Sequence, residues 1–448
     1  MKKTLTVIIL CLLTLTGFLI AQETAPKTVI TLEKAVESAL ANNKNVLIAR
    51  EKLEQAKGRI TEARGAYLPS LTIQGSYNKL SLVPAFTLSI PAGPATITRE
   101  MKLGAEDNYL LKAVFQETLF TWGRVSNSYA VSKMNFETTK EAYAQVLDET
   151  VYNVTKAFYG VILSKKVLEA NEEMLKRSQE HQKMVENKFS VGNASQFELL
   201  RAKVQVENTK PLVSKSKNAV ESSLIALKNM LGIKLSENIE VSGELSYIKE
   251  EVSLEASLAA AQKNRPELKI MDLRNQMQQK SLSITKASNK PSLIAVANAN
   301  YQNPYYYTLD WVNNWSAGII LNYPLFDGFS TNGKVKQSAS EQKQVQLQQQ
   351  QLKEGIEVEI RQLILSQNEA QERIVSQEEN IKQAQESLKI AEVGYANGVV
   401  TNLEVMDTQL ALTQAKINYM QALYDYIITN AGLKKATGNE NKSDYVNE

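Results

Sequence analysis

The chain has 448 residues, with 51 Lys and Arg against 48 Asp and Glu and a formal charge of +3 at pH 7. So even a balance gives no electrostatic case for nucleic acid. One histidine (His181) and one cysteine (Cys11), with no phosphate-cradling glycine loop, leave no material for a zinc site, a catalytic triad or a thiol enzyme. The sequence therefore offers no catalytic, cofactor-binding or metal residues.

Residues 1–21 start basic (Lys2, Lys3), run apolar from Leu5 to Ile20, and reach Ala21 before Gln22. That is the pattern of a secretory signal peptide, absent from the mature protein. Cys11 lies inside it after Leu10, where a lipoprotein cleavage site would want a small residue and a later position. Beyond it no apolar run reaches the roughly 18 residues of a membrane helix. Residues 22–30 form a short polar lead. Residues 31–66 read as helix, with Thr31 as N-cap and a break at Asn42-Asn43.

Pro69 ends that run and the period changes to two. Leu71, Ile73, Gly75 and Tyr77 share a face, as do Tyr109, Leu111, Ala113 and Phe115 on the return. The loop between them, with Pro84, Pro91 and Pro94, shows little periodicity. Trp122-Gly123 then turns the chain into a long polar helix over residues 125–190. A tight turn at 189–200 follows, in which Gly192 permits positive φ and Ser195 caps the next helix. Pro211 predicts a bend in that second helix. His181, within a polar helical stretch, reads as a solvated residue.

Residues 233–252 connect to a second copy of the same order. Phe189, Gly192, Ser195 and Glu198 match Tyr395, Gly398, Thr401 and Glu404 at a constant offset of 395 − 189 = 206. Upstream, Leu32, Asn42 and Pro69 match Leu254, Asn264 and Pro291 at 222. The difference, 222 − 206 = 16, is one longer loop in the first copy. The domains are then a signal at 1–21, repeats at 22–232 and 253–438 around the linker at 233–252, and a polar tail at 439–448. Asn264-Arg265-Pro266 repeats the helix break. Leu293, Ala295, Ala297, Ala299 and Tyr301 share one strand face; Trp315, Ala317, Ile319, Leu321 and Tyr323 share the next. A helix over 331–395 carries Ile374, Ile381, Leu388 and Tyr395 every seven residues. Leu403, Met406, Leu410, Thr413, Ile417, Met420, Tyr424 and Ile427 continue as a coiled-coil seam.

About ten residues of apolar-out, polar-in alternation mark a membrane β-barrel strand. Tyr301, Tyr305, Tyr306, Tyr307, Trp311 and Trp315 supply the aromatic residues that gather at headgroups. Four strands per chain cannot close, so the fold class is a membrane β-barrel completed by several chains, continued by a long α-helical coiled-coil barrel. Two chains give eight strands and three give twelve. Of these, twelve can leave a passage. A soluble periplasmic coiled-coil scaffold or adaptor without a pore is the alternative.

The paired tips, the Leu32-Glu33 and Asn42-Asn43 segment, the Pro-Ser-Leu strand entries, Pro324 to Gly328, and Gly232 and Gly438 resemble those of the TolC-like outer-membrane efflux family. The resemblance covers essentially the whole mature chain. It implies a homotrimer with a twelve-stranded barrel in outer-membrane lipid, continuous with a helical tunnel into the periplasm. The trimer would passively export cargo supplied by a periplasmic adaptor (membrane fusion) protein and an inner-membrane pump of RND, ABC or MFS type. It also implies a periplasmic gate at Tyr395, Glu404, Asp407 and Glu198, and adaptor contacts at Gly192, Ser195, Gly398 and Thr401. Where the best-known members carry an Arg, this chain has Val400, so it lacks the cation of their charged latch. Glu198 and Glu404 admit two readings: an acidic, cation-favouring ring at the aperture, or solvated acids at helix starts.

Overall fold

The computed structural model describes residues 28–306 and 308–439. The signal peptide, the start of the polar lead, Tyr307 and the tail beyond Asn439 lie outside the described residues. Strand β1 (Thr28–Ile30) precedes helices α1 (Leu32–Asn42) and α2 (Lys44–Gly65). Then come β2 (Ser70–Lys79), β3 (Ala85–Ala92), β4 (Ala95–Lys102), β5 (Asp107–Phe120), α3 (Arg124–Ser190) and α4 (Gln196–Leu231). After β6 (Ile239–Val241), the second copy runs α5 (Leu254–Asn264), α6 (Pro266–Lys286), β7 (Ser292–Asn303), β8 (Val312–Asn322), α7 (Ser330–Ala396) and α8 (Asn402–Thr437). Helices α3 and α7 have 67 residues each, and α4 and α8 have 36 each. The duplication read from the sequence is thus kept without a length change through both hairpins. Helix α4 passes through Pro211 without interruption.

Two compact units emerge, one from the described residues within 1–48, 146–265 and 356–448, the other from 49–145 and 266–355. In the second, an antiparallel sheet has the order β2-β5-β7-β8. Its register fixes the faces. Ile73, Ala113, Ala299 and Trp315 stand side by side across all four strands, and the next row is Gln74, Lys112, Asn300 and Asn314. The apolar face expected for every strand is therefore one continuous face. On the other, Asn300 donates to Asn314 at 2.8 Å. Some apolar residues (Val114, Val296, Ile320) also stand there, toward one end.

Aromatic side chains band both ends of this sheet. Tyr109 contacts Tyr77 and Trp311, and Trp311 stacks on Tyr301 at 4.6 Å. At the opposite end Phe120 meets Trp122, and Phe326 meets Phe329. From Tyr109 to Phe120 is 120 − 109 = 11 residues. At roughly 3.3 Å per residue and a tilt near 40°, that spans about 27 Å, close to the apolar band of an outer-membrane barrel.

The loop between β2 and β5 departs from expectation. It holds an antiparallel hairpin, β3 with β4, pairing Phe86 with Met101 and Ile90 with Ile97. Three prolines masked the alternation of Phe86, Leu88 and Ile90, and Gly93 at φ 68° makes the turn. The polar lead and the linker also prove structured: Thr28–Ile30 pairs parallel with Ile239–Val241. Three residues are too few for a periodic signal.

In the first unit, Val36, Val154, Phe158, Leu227, Leu231 and Ile239 form the main core. The Asn42-Asn43 break sits on it: Asn43 donates from Nδ2 to Met230 O at 2.8 Å, satisfying a carbonyl at the end of α4. Thr31 has the extended N-cap backbone, but its side chain accepts no capping bond.

The seam of α8 is displaced. Its buried positions near the tip include Asn402, Val405, Gln409 and Leu412, each one residue before an expected one; of the expected four Thr413 is buried, whereas Leu403 and Leu410 are exposed. The expected phase followed the apolar residues, but within one chain two polar side chains occupy the buried stripe.

Candidate functional site: the paired helix tips

The first tip joins α3 to α4 and the second joins α7 to α8, and the two are built alike. Gly192 and Gly398 both have φ of 79°, a conformation open to Gly at no Cβ cost. At the first tip the Glu198 N–H donates to Ser195 Oγ at 3.2 Å, and the Ser195 N–H donates back to Glu198 Oε2 at 2.8 Å. At the second the Glu404 N–H donates to Thr401 Oγ1 at 3.3 Å, and the Thr401 N–H to Glu404 Oε2 at 2.7 Å. Each is a full capping box, leaving few of the first N–H groups orphaned. The backbone N–H and hydroxyl of Thr401 hold the Glu404 carboxyl below the usual range. Glu404 is thus a helix-start acid that keeps its charge at the tip, and Glu198 takes the same place in the first capping box.

The remaining gate candidates part company. Tyr395 is buried in a small core with Val185, Ala202, Ala391 and Val405, drawn from all four helices. Its hydroxyl has no hydrogen-bond partner among the described residues, and burial, with Glu198 nearby, pushes its pKa up. Asp407 is exposed on α8. Val400 packs on the same core and against Gly394. Its position is apolar because the side chain turns inward.

Three residues that sequence reasoning passed over, and one that it read as solvated, join the tips. His181 is 5% exposed, not solvated, with Nε2 2.6 Å from Asn402 Oδ1 and its ring 5.1 Å from that of Tyr395. Its expected solvation fails because the polar stretch around it faces out while His181 itself faces α8. Asn402 Nδ2 donates to Glu198 O at 3.0 Å, which leaves Oδ1 as the acceptor and puts the imidazole proton on Nε2. Lys188 Nζ donates to Tyr395 O and, at 3.1 Å, to Ala396 O, and lies 4.5 Å over the Tyr395 ring. Gly394 leaves the space Val400 fills.

A charged layer stands further along the helices. Lys416 on α8 bonds Glu173 on α3 at 2.5 Å, and Arg177 bridges Glu173 at 2.9 Å and Glu392 on α7 at 3.9 Å. The arrangement is one of ion pairs and hydrogen bonds between helices. It holds two hairpin tips together through polar contacts that can be exchanged for water.

Comparison with known proteins decides what carries such tips. The chain matches the outer membrane efflux protein family over residues 35–233 and 258–439. It belongs to that family. TolC of Vibrio cholerae is 22% identical over 428 residues, covering 93% of this chain and 92% of its own. The cation efflux system protein CusC of Escherichia coli (strain K12) is 21% identical over 411 residues, covering 90% and 85%. The outer membrane channel CmeC of Campylobacter jejuni superposes with a TM-score of 0.77 at 18% identity, covering 91% and 85%. As an outer membrane efflux protein the chain is a protein of the outer membrane, in a family of channels and not of enzymes.

Proposed function

We propose that this efflux protein is one third of a trimeric channel-tunnel that passively exports cargo delivered by an inner-membrane pump through a periplasmic adaptor. The observation that carries the reading is the four-stranded sheet, with an apolar face across all four strands and, among the described residues, unpaired outer edges on β2 and β8. Open edges are not tolerated in lipid, so the sheet needs further copies, and three give 3 × 4 = 12 strands. Exposed apolar residues on the helices also favour neighbouring copies. Leu200, Val204, Leu365, Leu403 and Leu410 are solvent-facing in a single chain, as coiled-coil seams awaiting neighbours would be. Helices α3 and α7, about 100 Å long at 1.5 Å per residue, are long enough to line a periplasmic tunnel.

In this reading Tyr395, Glu404, Asp407 and Glu198 border the periplasmic gate. Gly192, Ser195, Gly398 and Thr401 offer the adaptor its contact. An alanine Cβ at Gly192 or Gly398 would meet nothing within 4 Å, and the neighbouring Phe197 and Val399 are 69% and 80% exposed. Apolar groups presented on an ordered turn suit a protein partner.

Cysteine pairs scanned across the two edges test the assembly: Thr72→Cys, Gln74→Cys or Ser76→Cys with Asn314→Cys or Ser316→Cys. Oxidation should give covalent trimers in the outer-membrane fraction. A soluble monomer that never cross-links would overturn the reading and favour a scaffold.

A further inference from the structure

The sheet hands the chain to long helices at one end only. Ser70 stands opposite Gln116, Phe120 opposite Leu293, and Ser292 opposite Asn322, so α2, α3, α6 and α7 all meet the sheet there. The four junctions, residues 60–69, 121–130, 282–291 and 323–336, carry six basic side chains: Arg64, Arg124, Lys286, Lys290, Lys334 and Lys336. Against them stand two acids, Glu62 and Asp327. The segments beyond the other end of the sheet, residues 79–107 and 303–312, hold three basic side chains and four acidic ones. The two ends therefore differ in sign, 6 − 2 = +4 against 3 − 4 = −1. All six basic side chains are exposed, and none forms an ion pair with a described residue. Asp327 is engaged at the start of α7, where it accepts the Thr331 N–H at 2.8 Å, with Lys334 acting on it through space.

We propose that this helical end of the sheet is a docking surface for anionic phospholipid headgroups, those of the membrane leaflet that faces the periplasm. The inference rests on the channel reading given above, which puts the apolar sheet face in lipid. The band of Phe120, Trp122, Phe326 and Phe329 then lies at headgroup level. The cations stand just beyond it, within the adjoining two turns of helix, or about 10 Å. Trp122, Phe326 and Phe329 are exposed, and Lys290 Nζ lies 4.7 Å over the Trp122 ring. That neighbourhood sets a cation beside an interfacial ring: the ammonium faces a phosphodiester oxygen while the ring takes the glycerol and acyl carbons. The aromatic placement is built into both copies. Trp122-Gly123 matches Gly328-Phe329 at the offset of 206, and all four residues have positive φ. Bulky side chains rarely take that conformation, so each copy holds one aromatic residue at its junction against local preference. A surplus of cations without partners in their own chain is neutralised by a surface whose counter-charges are phosphates.

The test reconstitutes the purified full protein in phosphatidylcholine bilayers and compares the association of spin-labelled phosphatidylglycerol with that of spin-labelled phosphatidylcholine. Wild type should prefer phosphatidylglycerol by at least about threefold, and high salt should reduce the preference. The variant Lys286→Gln/Lys290→Gln/Lys334→Gln/Lys336→Gln should bring the ratio close to one, with Lys290→Gln alone between the two. Arg99→Gln/Lys102→Gln, at the other end of the sheet, should leave the preference unchanged. The oligomer band on mild detergent gels serves as the fold control. Equal association of the two lipids with inserted wild type overturns the docking surface and leaves the channel reading intact. A full preference in the fourfold variant, beside altered ion selectivity in planar bilayers, also overturns it and assigns these cations to the passage. Protein that never enters the bilayer, and is washed from vesicles by alkaline carbonate, overturns the channel reading and the surface with it.

Discussion

Val400 rests on Gly394: a Cβ added at position 394 would lie 2.4 Å from Val400 Cγ2, and the Val400 N–H donates to the Gly394 carbonyl at 3.3 Å. A β-branched side chain has little rotamer freedom with which to retreat. Gly394→Ala should therefore loosen the second tip by about 1–3 kcal/mol, the range of core overpacking. Amide exchange over residues 394–402 measures it, and Gly394→Ala with Val400→Ala should recover most of the loss. Full protection in Gly394→Ala would mean that the turn can move aside.

The capping boxes predict matched effects in the two copies. Ser195→Ala and Thr401→Ala should each cost about 1 kcal/mol of helix-start stability, read from exchange of the first-turn amides of α4 and α8. Thr401→Ser should be nearly neutral. A large effect at one tip only would mean that the boxes are not equivalent. Glu404→Gln is the better probe of the acidic aperture than Glu404→Ala, because the amide oxygen can still accept the Thr401 N–H.

The tip should be sensitive to acid. Burial holds the His181 pKa below its ordinary value, although Asn402 and Glu392 oppose the shift. The charged group that acts on the ring is Glu392 on α7. A group whose pKa is depressed when the tip is closed favours closure above its open-state pKa, about 6.5. That contribution is lost as pH falls below 6.5 toward the depressed value. Tip protection, corrected for intrinsic exchange rates, should therefore weaken between about pH 7 and pH 5. His181→Gln should flatten the profile, and an unchanged slope in that variant would assign the effect elsewhere.

Much of this was legible in the chain. The constant offset of 206 located both hairpins, and Gly192, Gly398, Ser195 and Thr401 behave as their residue types require. The strand faces followed from period-two alternation, since Ile73, Ala113, Ala299 and Trp315 each fall where a pleated strand must put them. What could not be read was the tip interior. Asn402 and Gln409 occupy buried positions one residue off the apolar seam, so a rule that buries apolar residues picks the wrong phase. His181 was misplaced for the same reason: its burial depends on one acceptor 221 residues away. A comparison of the two copies for mismatched residues would have singled out Lys188 against Gly394.

The sheet face carries its own prediction. Ala299→Lys, mid-strand on the apolar face, should cost about 2–4 kcal/mol as a lipid-facing charge, whereas Asn300→Lys on the opposite face should be tolerated. Heat stability of the oligomer on mild detergent gels reads the difference. Equal stability of the two variants would remove lipid from the apolar face.

Gly232 and Gly438 close the two copies against their helix breaks. Both have left-handed φ, and an added Cβ at Gly232 would sit 2.5 Å from the Asn42 carbonyl oxygen, while at Gly438 it would sit 2.8 Å from Asn264 Cβ. Gly232→Ala should lower the melting temperature more than Gly438→Ala, since its added Cβ meets backbone at 2.5 Å where the other meets backbone at 3.1 Å.

The central claim is that three copies of this chain make one duct, and single-channel recording of the purified protein in planar bilayers tests it most directly. The account predicts discrete single-channel steps from the purified protein. A well-folded, detergent-free soluble protein that produces no steps in any form would contradict it.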